Sequence, residues 1–178
     1  MRTPTLLYYG GQIEKCQIRE EWGRWISGLA DWSWFFTGTF RDPSDEEIKR
    51  GYTQRGWKYA DKAWDSFVGS LCQCLKTDSW VRVFEFQKFR GNGMGVPHIH
   101  ALVAGVDELW RKDAWSWWFD RYGFARIVRY DERRGAGYYL SEYVSKDLSS
   151  IRFSEDLFCK VIEGRRKMGQ ETMGERVV

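Results

Sequence analysis

At 178 residues, 43% hydrophobic and 30% charged, the chain has the length of one domain with a real core and a composition that excludes disorder. The net charge of +3 is too small to argue by itself for a nucleic-acid partner. No apolar run approaches the about 18 residues that span a membrane, and residues 1–9 lack the apolar core and cleavage site of a secretory signal, so a cytoplasmic protein is expected.

Residues 1–15 admit a short edge strand over 6–9, closed by Gly10 and Gly11. Ile18, Trp22, Trp25, Ile26 and Leu29 recur at helical spacing and predict a helix over 18–29. After Asp31, the run 32–40 is a strand of Trp and Phe whose second half puts Thr37 and Thr39 on one face. Ser44 and Glu47 have the form of a capping box, which opens a short helix or turn. The main helix covers 57–76, with Trp57, Ala60, Trp64, Phe67, Val68, Leu71, Cys72 and Leu75 as one buried stripe. A strand over 80–87 and a second over 96–103 flank the Gly-rich turn 90–95, so the two form a hairpin. Asp107 caps a helix running to Tyr122, which contains Trp110, Trp115, Trp117, Trp118 and Phe119 and is ended by Gly123. The fourth main strand is 124–130, and 137–148 is helical.

The β-α-β-β-α-β order followed by a helix predicts an α+β fold with the split βαβ, ferredoxin-like or RRM-like arrangement. It has a central antiparallel sheet with two helices on one face, an extra N-terminal helix and a C-terminal helix carrying tyrosines. The other face is left for a ligand or a further helix. A single domain over 1–163 is expected, with a polar tail over 164–178 that frays. Cys16, Cys72, Cys74 and Cys159 have no zinc-site spacing and read as reduced, mostly buried thiols. Aromatics make up 17% of the chain, more than a core of this size needs, and the surplus suits base stacking.

His98 and His100 are the only histidines, and residues two apart on a strand share a face. Two adjacent imidazoles either hold one metal ion or are half-buried structural groups. Glu85 and Gln87 share a face on the antiparallel partner strand. With Glu85 opposite the histidines, two imidazoles and a carboxylate suit a divalent ion such as Mn²⁺ or Mg²⁺. Otherwise Glu85 forms a surface salt bridge, and Gln87 is the reserve ligand. Among Val83, Phe84 and Phe86 a carboxylate needs a partner. Tyr139, Tyr143 and Lys146 stand at i, i+4 and i+7, on one helix face. Tyr138 points about 100° away and is expected in the core. A phenol, with a pKa of about 10, attacks poorly at neutral pH unless a cation such as Lys146 favours the phenolate. The same stripe is also compatible with plain amphipathic packing.

Three blocks occur in a familiar order. They are Phe36-Thr37-Gly38-Thr39-Phe40, then Pro97-His98-Ile99-His100 with Glu85-Phe86-Gln87 upstream, then Tyr143-Val144-Ser145-Lys146 with Tyr139 four residues earlier. Over 32–148 the chain resembles the HUH endonucleases, the rolling-circle replication initiators of plasmids and single-stranded DNA viruses and phages. The tyrosine spacing resembles the two-tyrosine branch, although one-tyrosine relatives can carry a bystander there. The resemblance implies a site-specific nicking and strand-joining enzyme with Glu85, His98 and His100 on a metal. Tyr143 would attack to give a 5′-phosphotyrosine, Tyr139 would serve a second attack, and Lys146 would offset charge. It also implies single-stranded or hairpin origin DNA as substrate. No P-loop occurs, so no helicase domain is expected within these residues, and unwinding falls to a separate host helicase, or to a further part of the protein if this chain is a fragment. Candidate DNA contacts are Thr37, Thr39, Arg41, Arg126, Arg129, Arg133 and Arg134, with Lys88 and Arg90 near the groove. Each arginine taken singly also reads as a solvated surface residue. The competing functions are a transposase or relaxase of the same chemistry, a non-catalytic single-strand-binding module, and a metal-dependent hydrolase using water.

Overall fold

A computed structural model of the chain describes residues 15–51, 56–75, 79–90, 94–106, 108–144 and 150–159. Within these, only the backbone is described for 15–19, 71–75, 86–90, 94–96, 108–110, 137 and 141–144. The elements in order are α1 (Lys15–Ser27), β1 (Trp32–Thr39), α2 (Asp45–Lys49), α3 (Trp57–Leu75), β2 (Trp80–Arg90), β3 (Met94–Ala104), α4 (Glu108–Arg121), β4 (Ala125–Arg129), α5 (Gly135–Val144) and β5 (Arg152–Phe153). The molecule is therefore α+β, as expected. Its sheet has the order β4-β1-β3-β2-β5, with every pair antiparallel. The expected hairpin is the β2–β3 pair, and the capping box forms in full, with Ser44 accepting from the Glu47 N–H and the Glu47 carboxylate accepting from the Ser44 N–H. Among the described residues, no helix is long and apolar enough to cross a membrane.

Strand alternation distributes the side chains between two cores. On one face, Trp34 and Phe36 of β1, Phe84 of β2, Ile99 and Ala101 of β3, and Ala125 and Ile127 of β4 pack against Trp64 and Phe67 of α3 and Trp118 of α4. Gly38 lies under Trp118, and a Cβ there would stand 2.7 Å from Trp118 Cζ2 and from Phe36 Cε1, so only glycine lets the indole close on the strand. Trp118 Nε1 then donates to the Thr39 carbonyl at 3.1 Å. Gly123 ends α4 as expected, where a Cβ would meet Thr39 O at 2.7 Å.

On the other face, Val81 and Val83 of β2 and Leu102 and Ala104 of β3 meet Trp25 and Ile26 of α1 and Ala136, Tyr139 and Leu140 of α5. A register shift between Trp32 and Trp34 puts Trp32 into this second core, where its Nε1 donates to Ile26 O at 2.8 Å. Ser27 joins the two covering helices. Its hydroxyl donates to Gly23 O and accepts from the Ala136 N–H, both at 2.8 Å, which leaves the Tyr130 hydroxyl to donate to it at 3.2 Å.

The second sheet face, expected to be left for a ligand or a further helix, is covered over much of its length by the helices α1 and α5, because the Trp25–Ile26 and Ala136–Tyr139–Leu140 stripes need a surface to bury against. Cover reaches His100, which is buried, and thins at His98, Glu85 and Thr39, which are half-buried. Trp57, assigned to the buried stripe of α3, is exposed at the helix start and packs on Phe84. Trp115 and Phe119 are also exposed. Cys159 is an exposed free thiol, and the side chains of the other three cysteines lie outside the described residues. So do the strand over 6–9, the Asp107 cap, the end of the last helix, Lys146 and the tail over 164–178.

Candidate functional site

Two rows of side chains cross the α5-covered face. In the first, Thr39, His98 and Glu85 stand in register on β1, β3 and β2. In the second, Arg126, Thr37, His100 and Val83 stand in register across β4, β1, β3 and β2. The expected juxtaposition of Glu85 with the histidines is thus realised: Glu85 is in register with His98, and its Oε2 lies 3.5 Å from His100 Nε2. His100 Nδ1 lies 3.3 Å from Thr37 Oγ1, and its ring stacks on Phe35 at 6.1 Å with an interplanar angle of 10°. One buried imidazole is therefore held by a hydroxyl on one nitrogen, a carboxylate beside the other, and an aromatic face.

The donor set suits a divalent cation. A neutral imidazole that donates its Nδ1 proton to Thr37 directs the Nε2 lone pair toward a carboxylate, which repels it unless a proton or a cation lies between. Two donor atoms on one ion at about 2.1 Å are about 3.0–3.4 Å apart, close to the separation found between His100 and Glu85. The Nε2 atoms of both histidines are buried. The imidazole centroids are 6.2 Å apart, and among the described residues no three His, Cys, Asp or Glu side chains already converge at ligand distance.

Tyr139 and Tyr138 exchange the positions expected of them. Tyr139 is 8% exposed, packed on Phe35 and Tyr130, and its hydroxyl accepts from the Asp131 N–H at 3.0 Å. Tyr138 is 63% exposed beside Arg134. The reason is the docking face of α5: Ala136, Tyr139 and Leu140, at i, i+3 and i+4, point at the sheet and turn Tyr138 outward. Tyr143 lies one turn after Tyr139, about 6 Å along the axis, in the part of α5 whose side chains are not described. The helix runs against β2 and β3, the strands that carry Glu85 and the histidines.

The expected DNA contacts are dispersed. Thr39 Oγ1 donates to Phe124 O at 3.0 Å, and Arg41 donates to the Phe119 and Asp120 carbonyls at the C-terminal end of α4, where the helix dipole favours a cation. Arg133 and Arg134 both pair with Asp131, and the hydrogen bond from Arg133 holds that carboxyl below its ordinary value. Arg129 lies over the Trp34 ring at 5.1 Å. The side chains of Lys88 and Arg90 are outside the described residues. Arg126 alone of this group stands in the same row as His100 and Thr37.

A second feature was missed. Arg111, Lys112, Trp115, Phe124 and Arg126 surround a cleft of about 420 Å³ between α4 and β4, floored by Ala125 and Ile127. The available signal was Arg111, Trp115 and Phe119 at i, i+4 and i+8, a stripe flanked by the core positions Ala114 and Trp118. Compared with known protein families, curated proteins and solved structures, the chain matches none.

Proposed function

We propose that the chain is an HUH-type endonuclease that nicks single-stranded or hairpin DNA at a specific site, retains the strand on a tyrosine and rejoins it, so initiating rolling-circle replication. The observation that carries this reading is the pair of rows on one sheet face: Glu85 in register with His98, and His100 set between Thr37 and Glu85. The strand order β4-β1-β3-β2, with α3 and α4 as the two crossovers, supports a split βαβ, ferredoxin-like core beneath it.

In this reading Glu85, His98 and His100 would hold Mn²⁺ or Mg²⁺, whose charge polarises the scissile phosphate when bound. Thr37, accepting from His100 Nδ1–H, would fix the tautomer that leaves Nε2 able to bind a cation. Phe35 prevents the ring from turning. The Tyr143 oxygen attacks phosphorus and gives up its proton. The bond to the 3′ oxygen breaks, that oxygen takes up a proton, and the phosphate remains on tyrosine as a 5′-phosphotyrosine. No water is consumed, so the strand can be rejoined by the reverse attack. Lys146 offsets charge on the phenolate or the transition state. Arg126, in the row with Thr37, positions a neighbouring phosphate. The cell supplies a helicase from another protein, and the chain acts in the cytoplasm.

The test uses purified protein, Mn²⁺ and a pool of random single-stranded DNA containing hairpins. An SDS-resistant DNA adduct is expected, mapped by mass spectrometry to Tyr143 and lost with chelator or in His98→Ala. Cleavage without an adduct would replace this reading with a water-using hydrolase. Binding with neither would replace it with a non-catalytic module.

A further inference from the structure

The β4 edge of the sheet opens onto the α4 cleft, whose volume of about 420 Å³ is that of a small-ligand site. Its two aromatic walls stay in contact with water: Trp115 is 38% and Phe124 57% exposed. Trp115 is stacked on Phe119 at 4.8 Å with an interplanar angle of 10°, so its ring is held as a fixed plane. Arg41 extends the same surface by lying over Phe119 at 5.4 Å. The rim carries Arg111, Lys112 and Arg126, and no carboxylate is among the described residues that line the cleft.

These features select the ligand. The cationic side chains at the opening attract negative charge, and the apolar floor strengthens the field within the opening. A bare phosphate would use the rim but gain nothing from two exposed rings, and an uncharged aromatic ligand would use the rings but leave the cations idle. A flat heterocycle joined to a phosphate uses both, because base faces stack on aromatic side chains without sequence preference while Lys and Arg take the phosphate.

We propose that the α4–β4 cleft binds one nucleotide, with its base on Trp115 and Phe124 and its phosphate on Arg111, Lys112 and Arg126. The binding requires neither the histidines nor a metal, so it stands or falls separately from the nuclease reading.

The experiment is fluorescence anisotropy of a labelled twelve-residue oligothymidine with the full chain in EDTA, where metal-dependent cleavage cannot occur. Trp115→Ala and Phe124→Ala are each expected to weaken binding about tenfold, in line with the loss of one stacked base. Lys112→Glu, at an exposed position outside the core, is expected to weaken binding and flatten its salt dependence. Free thymidine monophosphate that displaces the oligomer would identify the ligand as an isolated nucleotide. Displacement by unlabelled oligomer alone would identify it as a nucleotide within a strand. Either result supports the cleft assignment when the substitutions weaken binding. Oligomer binding unchanged by Trp115→Ala, Phe124→Ala and Lys112→Glu would overturn it, as would inorganic phosphate competing as well as the mononucleotide, or no binding of either nucleic-acid probe.

Discussion

At the scale of single residues, Tyr139 of α5 is a structural phenol, and Tyr143, one turn on, is the proposed nucleophile. The Tyr139 hydroxyl already accepts from the Asp131 backbone, and its ring fills space between Phe35 and Tyr130. Tyr139→Phe should therefore keep the DNA adduct while lowering stability by about 1 kcal/mol, because the Asp131 N–H loses its acceptor. Under the proposed mechanism, Tyr143→Phe should abolish the adduct. Adduct mapping and thermal melts on the two variants give the answer together. If Tyr143→Phe still forms an adduct on Tyr139, the hydroxyl must leave Asp131 to do so, and the assignment of the nucleophile reverses. His100 illustrates a related coupling of fold and site, since the side chain next to Glu85 is also a packed neighbour of Phe35.

At the scale of elements, α1 and α5 meet through one hydroxyl junction. Ser27 receives the Tyr130 phenol proton while accepting from the first turn of α5 and donating within α1. Burial raises the Tyr130 pKa above its ordinary value of 10.0. A group raised in the folded state favours its protonated form there, so its contribution to stability is complete below pH 10 and is lost as pH rises through the folded value. The junction should therefore loosen in alkali. Melting temperature is expected to fall above pH 10, and Tyr130→Phe should remove part of that fall at the expense of stability at neutral pH. Equal alkaline slopes in the two proteins would show that Tyr130 does not link helix packing to pH.

At the scale of the whole molecule, a charge network fastens β5 to the main body. Arg82, 1% exposed in β2, donates to Asp61 of α3 and to the Ser150 carbonyl, while Arg152 of β5 also donates to Asp61 at 2.9 Å. Burial brings the Arg82 pKa down to about 10, the mark of a guanidinium that the fold must compensate. Asp61→Ala should cost about 2 kcal/mol, less than the 3–5 of a wholly buried pair because Asp61 is partly exposed. Denaturant titration measures it, and a loss below about 0.5 kcal/mol would mean that Ser150 and the Phe84 ring, 3.8 Å from the guanidinium carbon, hold Arg82 without help. The network also explains why β5, two residues long, pairs with β2 at all.

What the sequence alone determined follows from local geometry. A strand alternates with period two, so His98 and His100 had to share a face, and an antiparallel hairpin could bring Glu85 to them. A helix repeats every 3.6 residues, so the long apolar stripe of α3 and the Ser44–Glu47 cap were readable without knowing what they touch. The choice between neighbouring aromatic positions was not readable. Tyr138 and Tyr139 have the same hydropathy, and only the docking of Ala136 and Leu140 selects which is buried. In α4, Trp115, Trp117, Trp118 and Phe119 surround the helix, a pattern with no single apolar face. Packing against β1 buries Trp118, while Trp115 and Phe119 remain exposed. Whether a ligand or a helix would take the second sheet face was equally open, because surface burial depends on partners distant in the chain. Backbone periodicity is written residue by residue, whereas the winner among competing apolar faces is decided only when the elements meet.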